Sequence, residues 1–287
     1  MIYLRTSGLC SKAPFNELEV LYEQVRQQEQ VTLRRDDLSP VPLKYALPLH
    51  TRALFQAGLR RTFQLVDATI DEMNAKRFIP PFLTSRAALE TTCVLYDTLL
   101  RVTKLIEQPT HEGIEDLSAH LERIKWGAKS ERWIEALKVQ PPTLDPRMPV
   151  AAEANTASGN ASTTKEPRDL QGQAVNVVTI VQRVAKHHPA VWTLYEDLSE
   201  LAHPNCVGMD GIFHDFDKGK DEYVIVDPWE QWASDMMTYP VAALAISLQL
   251  ADGAVRWLDA SIMDFVKVSE RDLHERGEWP ATIPYRW

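Results

Sequence analysis

PPFLTSRAALETTCVLYDTLLRVTKLIEQ, residues 80–108, decides the fold class. Pro80 and Pro81 suit the first turn of a helix, where a missing N–H costs nothing, and no proline or glycine interrupts the stretch from Phe82 to Gln108. On a wheel of about 100° per residue, Arg86, Glu90, Asp97 and Arg101 fall in one stripe about 60° wide. Leu83 and Val94 border it on one side, Leu89, Tyr96 and Leu100 on the other. A solvated charge run would lie opposite the apolar residues. This stripe is therefore expected on a buried face, either as an ion network between helices or as the wall of a cleft.

A second segment raises the same choice. In YEDLSELAHPN, residues 195–205, the proline ring disfavours the α conformation in the residue before it, so the helix is expected to stop near His203. Val191, Leu194, Tyr195, Leu198, Leu201 and Ala202 share an apolar arc, with Glu196, Asp197 and Glu200 opposite. Tyr195, Ser199 and His203, four residues apart, form a column on that side. The structural reading has Ser199 bonding the carbonyl one turn back and His203 serving the helix end. The functional reading joins the two stripes into a pocket. His203 is then the acid or base, with Arg86 and Glu90 as its catalytic companions and Tyr195, Ser199, Arg101 and Asp97 as binding groups. If the stripe is buried, Glu90→Ala strands Arg86 and should cost on the order of 3 to 5 kcal/mol.

SRAALE followed, beyond a variable insertion, by YEDLSELAHPN resembles a set of bacterial all-helical proteins of unknown function that carry S-R-x-x-x-E and L-S-x-x-x-H-P segments. The resemblance spans roughly residues 40–110 and 175–270. It implies an all-helical fold, with motif positions at Ser85, Arg86, Glu90, Leu198, Ser199, His203 and Pro204. More distantly the chain is similar to the HEPN superfamily, helical bundles that include metal-independent ribonucleases of toxin and phage-defence systems. Their arginine and histidine, four to six residues apart, correspond here to Arg183 and His188, although Val184 stands where that family usually has a polar residue. This pair ranks below the Arg86 and His203 pocket.

The rest of the chain fits one mainly helical domain, a bundle of long helices spanning residues 1–287. Further helices are read in FNELEVLYEQVRQQEQ, in residues 49–77, in IEDLSAHLERIKWG and SERWIEALK, and in two segments closed by His-Pro steps. Residues 140–169, rich in Pro, Ala, Ser and Thr, bury too little to offset their ordering entropy and are expected to form a disordered loop. IFHDF and EYVIV flank DKGKD, which predicts a β-hairpin at 211–227. Asp227-Pro228 reads as an N-cap with proline at the first helical position, and another long helix is expected from near Pro240. Six of the eight tryptophans lie from Trp192 onward, which predicts the denser core in the C-terminal half.

With 31 basic and 40 acidic residues the net charge is −9, which argues against a broad nucleic-acid footprint; RNA contact would need a local basic patch, for which Arg86, Arg101 and Arg183 are candidates. Three scattered cysteines without C-x-x-C spacing fit a reduced, cytoplasmic protein. The most apolar run, PVAALAISLQLA, is shorter than the roughly 20 residues a membrane span needs, so no membrane association is expected. No metal or cofactor motif is present: Glu200-Leu-Ala-His203 lacks the second copy a di-iron bundle requires, and HDFDKGKDE lacks EF-hand spacing. Two readings of function stand. One is a non-catalytic scaffold or interaction module that binds a protein partner or its own copies. The other is a HEPN-like ribonuclease acting on RNA.

Overall fold

The computed structural model describes residues 13–26, 46–126, 176–203, 208 and 211–277. The expected loop at 140–169, the helix at 130–138, Pro204, Cys10, Cys206 and the tail from residue 278 lie outside these residues. The described chain is an all-α bundle with one two-stranded antiparallel hairpin. Its helices are α1 (Ala13–Arg26), α2 (Leu47–Asn74), α3 (Pro80–Glu107), α4 (His111–Trp126), α5 (Val177–Ala185) and α6 (Ala190–Ala202), and then, after the hairpin, α7 (Pro228–Met236) and α8 (Thr238–Glu275). Strands β1 (His214–Asp217) and β2 (Glu222–Ile225) come after a short helical turn at Gly211–Phe213.

Local chemistry sets most of these boundaries. Pro80 and Pro81 open α3. The Asp227 side chain accepts a 2.9 Å bond from the Trp229 N–H at the start of α7, with Pro228 in the first turn, as the spacing predicts. α6 stops at Ala202, and His203 turns extended at φ −85°, ψ 146°, as a residue before proline should. The helical period predicts α2 as far as Arg77, but it ends at Asn74, because Lys76 takes a left-handed φ of 57° that a helix cannot accommodate.

α2 and α3 form an antiparallel pair. At one end Thr69 donates to Thr84 at 2.7 Å. Further along, Gly58 lets the helices approach closely, for a Cβ there would lie 2.6 Å from a Leu95 methyl carbon. The long α8 then packs on both of them. Its N-terminal half, including Val241, Leu244 and Leu248, shares one apolar cluster with Phe82, Leu89, Leu198 and Tyr22. Its middle, Leu258 to Phe265, shares a second with Phe55, Leu95, Val102 and Leu117. The core therefore draws on both sides of the 127–175 segment. Of the six tryptophans from Trp192 onward, Trp192, Trp229, Trp232 and Trp257 are partly buried and Trp279 and Trp287 lie outside the described residues, while Tyr22, Phe55, Phe82 and Phe265 are the large fully buried rings. Among the described residues α8 alone is long and apolar enough to cross a bilayer, and half of its most apolar window is buried inside the bundle.

α5 and α6 lie along α3. Arg183 meets Asp97, His188 meets Tyr96, and Tyr195 meets Arg86, so the contacts run backward along α3 as the chain runs forward. The break between the two helices sits at His188-Pro189, where the proline prevents a continuous run. This antiparallel course brings the α3 stripe against two neighbours at once.

Candidate functional site

The most deeply buried arc of α3 runs through Ser85, Ala88, Thr92, Leu95, Leu99 and Val102. The charged stripe does not lie on it. The stripe occupies a flank that α5 and α6 only partly cover, so Arg86, Glu90 and Arg101 are half-buried and only Asp97 is buried outright, at 3% exposed. The helix wheel ranked the faces by residue type alone, which says nothing of how many neighbours surround the helix.

Two polar groups form along this flank. At the first, Arg86 donates from Nε to Glu90 Oε1 at 3.1 Å and from Nη2 to the Tyr195 hydroxyl at 3.0 Å. Its guanidinium carbon also lies 4.9 Å from the Tyr195 ring centroid, within cation–π range, and Trp192 stacks on the same ring at 6.0 Å. The sequence column Tyr195, Ser199, His203 is not a working row. The Ser199 hydroxyl turns back to donate to the Tyr195 carbonyl at 2.5 Å, the behaviour its structural reading describes. His203 sits exposed at the end of α6, two turns or about 12 Å beyond Tyr195, and no hydrogen bond joins it to Arg86 or Glu90. Its backbone N–H donates to the Ser199 carbonyl at 3.0 Å, and among the described residues no side-chain hydrogen bond of His203 is seen. The expected pocket thus keeps Arg86, Glu90 and Tyr195 together and leaves the imidazole outside.

The second group is centred on Asp97. Arg183 grips the carboxylate with a bidentate fork, Nε to Oδ1 at 2.7 Å and Nη2 to Oδ2 at 2.9 Å. Arg101 donates from Nε to Oδ2 at 3.3 Å and from Nη1 to Asp116 of α4 at 2.5 Å. Burial alone would raise the carboxyl's pKa. The Arg183 bonds and the two arginine charges outweigh it and hold Asp97 below the usual carboxylate range, while the same bonds raise Arg183 above its ordinary value.

His120 of α4 completes this group, with Nε2 3.9 Å from Asp97 Oδ2 and 3.0 Å from the Thr98 hydroxyl. With the Thr98 proton given to the Val94 carbonyl at 2.8 Å, the histidine is the donor in the 3.0 Å contact. In that arrangement the neutral ring carries its hydrogen on Nε2. Burial pushes the ring down to about 4; Arg101, Arg123 and Arg183 act in the same direction, and Asp97 opposes them. Cys93, buried between the two groups, is pushed up to about 12 by burial and by the nearby charges of Glu90 and Asp97, which keeps it a thiol.

Sequence reasoning therefore named one end of this arrangement better than the other. Arg183 entered as the partner of His188 and is instead the partner of Asp97. His188 packs its ring edge-on to Tyr96 at 4.9 Å, and its buried Nε2 has no hydrogen-bond partner among the described residues. His120, Thr98 and Asp116 were not singled out at all. A signal existed for His120: it lies three residues after Leu117 and one before Leu121, on the apolar arc of its own helix, and a wheel drawn for α4 would have shown it.

Chemically the flank is a set of groups engaged with one another. Each carboxylate has an arginine, each arginine a carboxylate, and the buried imidazole a fixed acceptor. Among the described residues no group of three or more His, Cys, Asp or Glu could hold a metal ion. Compared with family models, with curated proteins and with solved structures, the chain matches none.

Proposed function

We propose that this chain is a non-catalytic interaction module of the cytoplasm, in which the polar flank of α3 positions α4, α5 and α6 and the outer surface binds a partner protein. One observation carries the reading: the ionisable groups in the stripe are engaged by other groups of the same chain. General acid or base catalysis needs a group within reach of substrate that exchanges a proton near the working pH. His120 has neither property, being buried, neutral and hydrogen-bonded to Thr98. Arg183, which a ribonuclease would direct at phosphate, holds Asp97 instead. His203 is exposed, and no carboxylate orients its ring among the described residues.

Arg101, Arg123 and Arg183 do gather around His120, which is what an RNA site would require, but Asp97 and Asp116 offset their charge. The deciding experiment incubates the pure full-length protein with single-stranded and structured RNA, with and without divalent metal. This reading expects intact RNA throughout. Cleavage by the wild type that is lost in a folded Arg183→Ala or His203→Ala variant would overturn it in favour of the ribonuclease.

A further inference from the structure

The hairpin turns its apolar side outward. In the register His214↔Ile225, Asp215↔Val224, Phe216↔Tyr223 and Asp217↔Glu222, one face carries His214 and three large apolar residues, Phe216, Tyr223 and Ile225. All three are exposed, Tyr223 by 78% and Ile225 by 82%. Phe216 and Tyr223 meet edge to face across the two strands at 5.2 Å. The other face carries Asp215, Asp217 and Glu222 together with Val224; Lys220 lies 3.6 Å from Asp217 and 3.8 Å from Glu222. From residue 214 to 227 five acids stand against two lysines.

The two edges of the hairpin differ. The Val226 N–H donates to the Phe213 carbonyl at 2.9 Å, which identifies that pair as hydrogen-bonded. By the antiparallel alternation the backbone groups of Phe216, Tyr223 and Ile225 then point away from the ladder. On β1 the outward Phe216 N–H is already taken by the Asp215 side chain at 2.8 Å, and Asp215 is tied to Gln231 of α7 at 3.2 Å. On β2 no third strand pairs with Tyr223 and Ile225 among the described residues. Charged side chains or a covering element usually protect an edge strand. Here β1 has such cover and β2 offers its backbone beside two large apolar side chains.

We infer that the β2 edge is a docking site for an extended segment of a partner protein, in which apolar and basic residues alternate. Strand addition would seat the apolar side chains beside Tyr223 and Ile225 and, on the opposite face, a basic one beside Glu222, because successive side chains of a strand point to opposite faces. The same charges disfavour a second copy, since each chain would bring a net −9 and an acidic hairpin. This inference rests on the interaction-module reading and supplies its surface and the chemistry of its partner.

The test titrates the full chain with a short acetylated peptide of alternating valine and lysine, following binding by fluorescence anisotropy and amide exchange at Tyr223 and Ile225. Saturable binding is expected, with both amides protected and with a valine–glutamate peptide much weaker. Ile225→Pro removes an outward donor without touching the ladder to β1, and should weaken binding about ten-fold or more. Glu222→Lys leaves the backbone unchanged and should weaken the lysine peptide while strengthening the glutamate one. The proposal is overturned if the lysine peptide fails to bind, if both variants bind as wild type, or if the edge is filled by a second copy, seen as a dimer that Ile225→Pro dissociates. None of these results bears on the RNA assay, so the docking site can fail while the module reading stands.

Discussion

Replacing Asp97 by alanine should be among the most damaging single changes along the α3 flank. Asp97 is buried and accepts from two arginines, one of them through a bidentate fork. Removing one member of a buried ion pair typically costs about 3 to 5 kcal/mol, because the remaining charge keeps its desolvation without its partner. Arg101 retains Asp116, and the Arg183 side chain is 38% exposed, so water can reach part of the stranded charge. The expected cost is therefore at the lower end, about 3 kcal/mol. With a urea m-value near the top of the usual range for a chain of this size, that lowers the midpoint by roughly 1 M. Asp97→Ala combined with Arg183→Met should cost less than Asp97→Ala alone, because the double variant leaves no orphaned guanidinium on α5. A single variant within about 0.5 kcal/mol of wild type, or a double variant whose loss is the sum of the two singles, would refute the assignment of Asp97 as the hub.

Three further outcomes are expected from the same geometry. Glu90→Ala should cost only about 1 kcal/mol, well below the penalty for a fully buried stripe, since Glu90 and Arg86 are 29% and 23% exposed and Arg86 keeps Tyr195; a urea series would show it. Burial holds the folded His120 near 4 against about 6.5 when unfolded, so between these values the unfolded chain binds a proton the folded chain does not. That contribution is fully present above pH 6.5 and lost as pH falls toward 4, by roughly 3 kcal/mol, and His120→Gln should flatten this part of the pH–stability curve. The loss tied to Asp97 falls lower, below the usual carboxylate pKa of about 3.9, and should survive in His120→Gln. Gly58→Val should destabilise by about 1 to 3 kcal/mol by thermal or urea unfolding, because its side chain would enter the space of the buried Leu95.

Features that depend on neighbours in sequence are legible without the structure. Pro204 stops α6 at His203, Asp227 caps α7, and the spacing of IFHDF and EYVIV yields the hairpin. The grouping of Arg86, Glu90, Asp97 and Arg101 on one side of α3 is equally readable from the helical period. What periodicity cannot supply is the partner across a tertiary contact. Asp97 and Arg183 are separated by 86 residues, and nothing local distinguishes Arg183 from Arg101 or Arg86 as the group that meets the carboxylate in a fork. Depth of burial escapes the helix wheel for the same reason: α5 and α6 cover the flank unevenly, sealing Asp97 and leaving Glu90 half open. His120 stays hidden while its helix is read only as amphipathic, and its role appears only once α4 is placed beside Thr98.

The central claim is that the polar flank of α3 is closed and structural rather than the wall of a working cleft, and the His120 ring reports on it directly. A pH titration of the histidine side chains by nitrogen-detected NMR, with His120→Gln to assign the resonance, measures both its protonation and its tautomer. The account predicts a neutral ring with hydrogen on Nε2 throughout the neutral range, titrating only near pH 4. A His120 resonance that titrates near 6.5, or that exchanges between the two tautomers at neutral pH, would show a ring open to solvent and would contradict it.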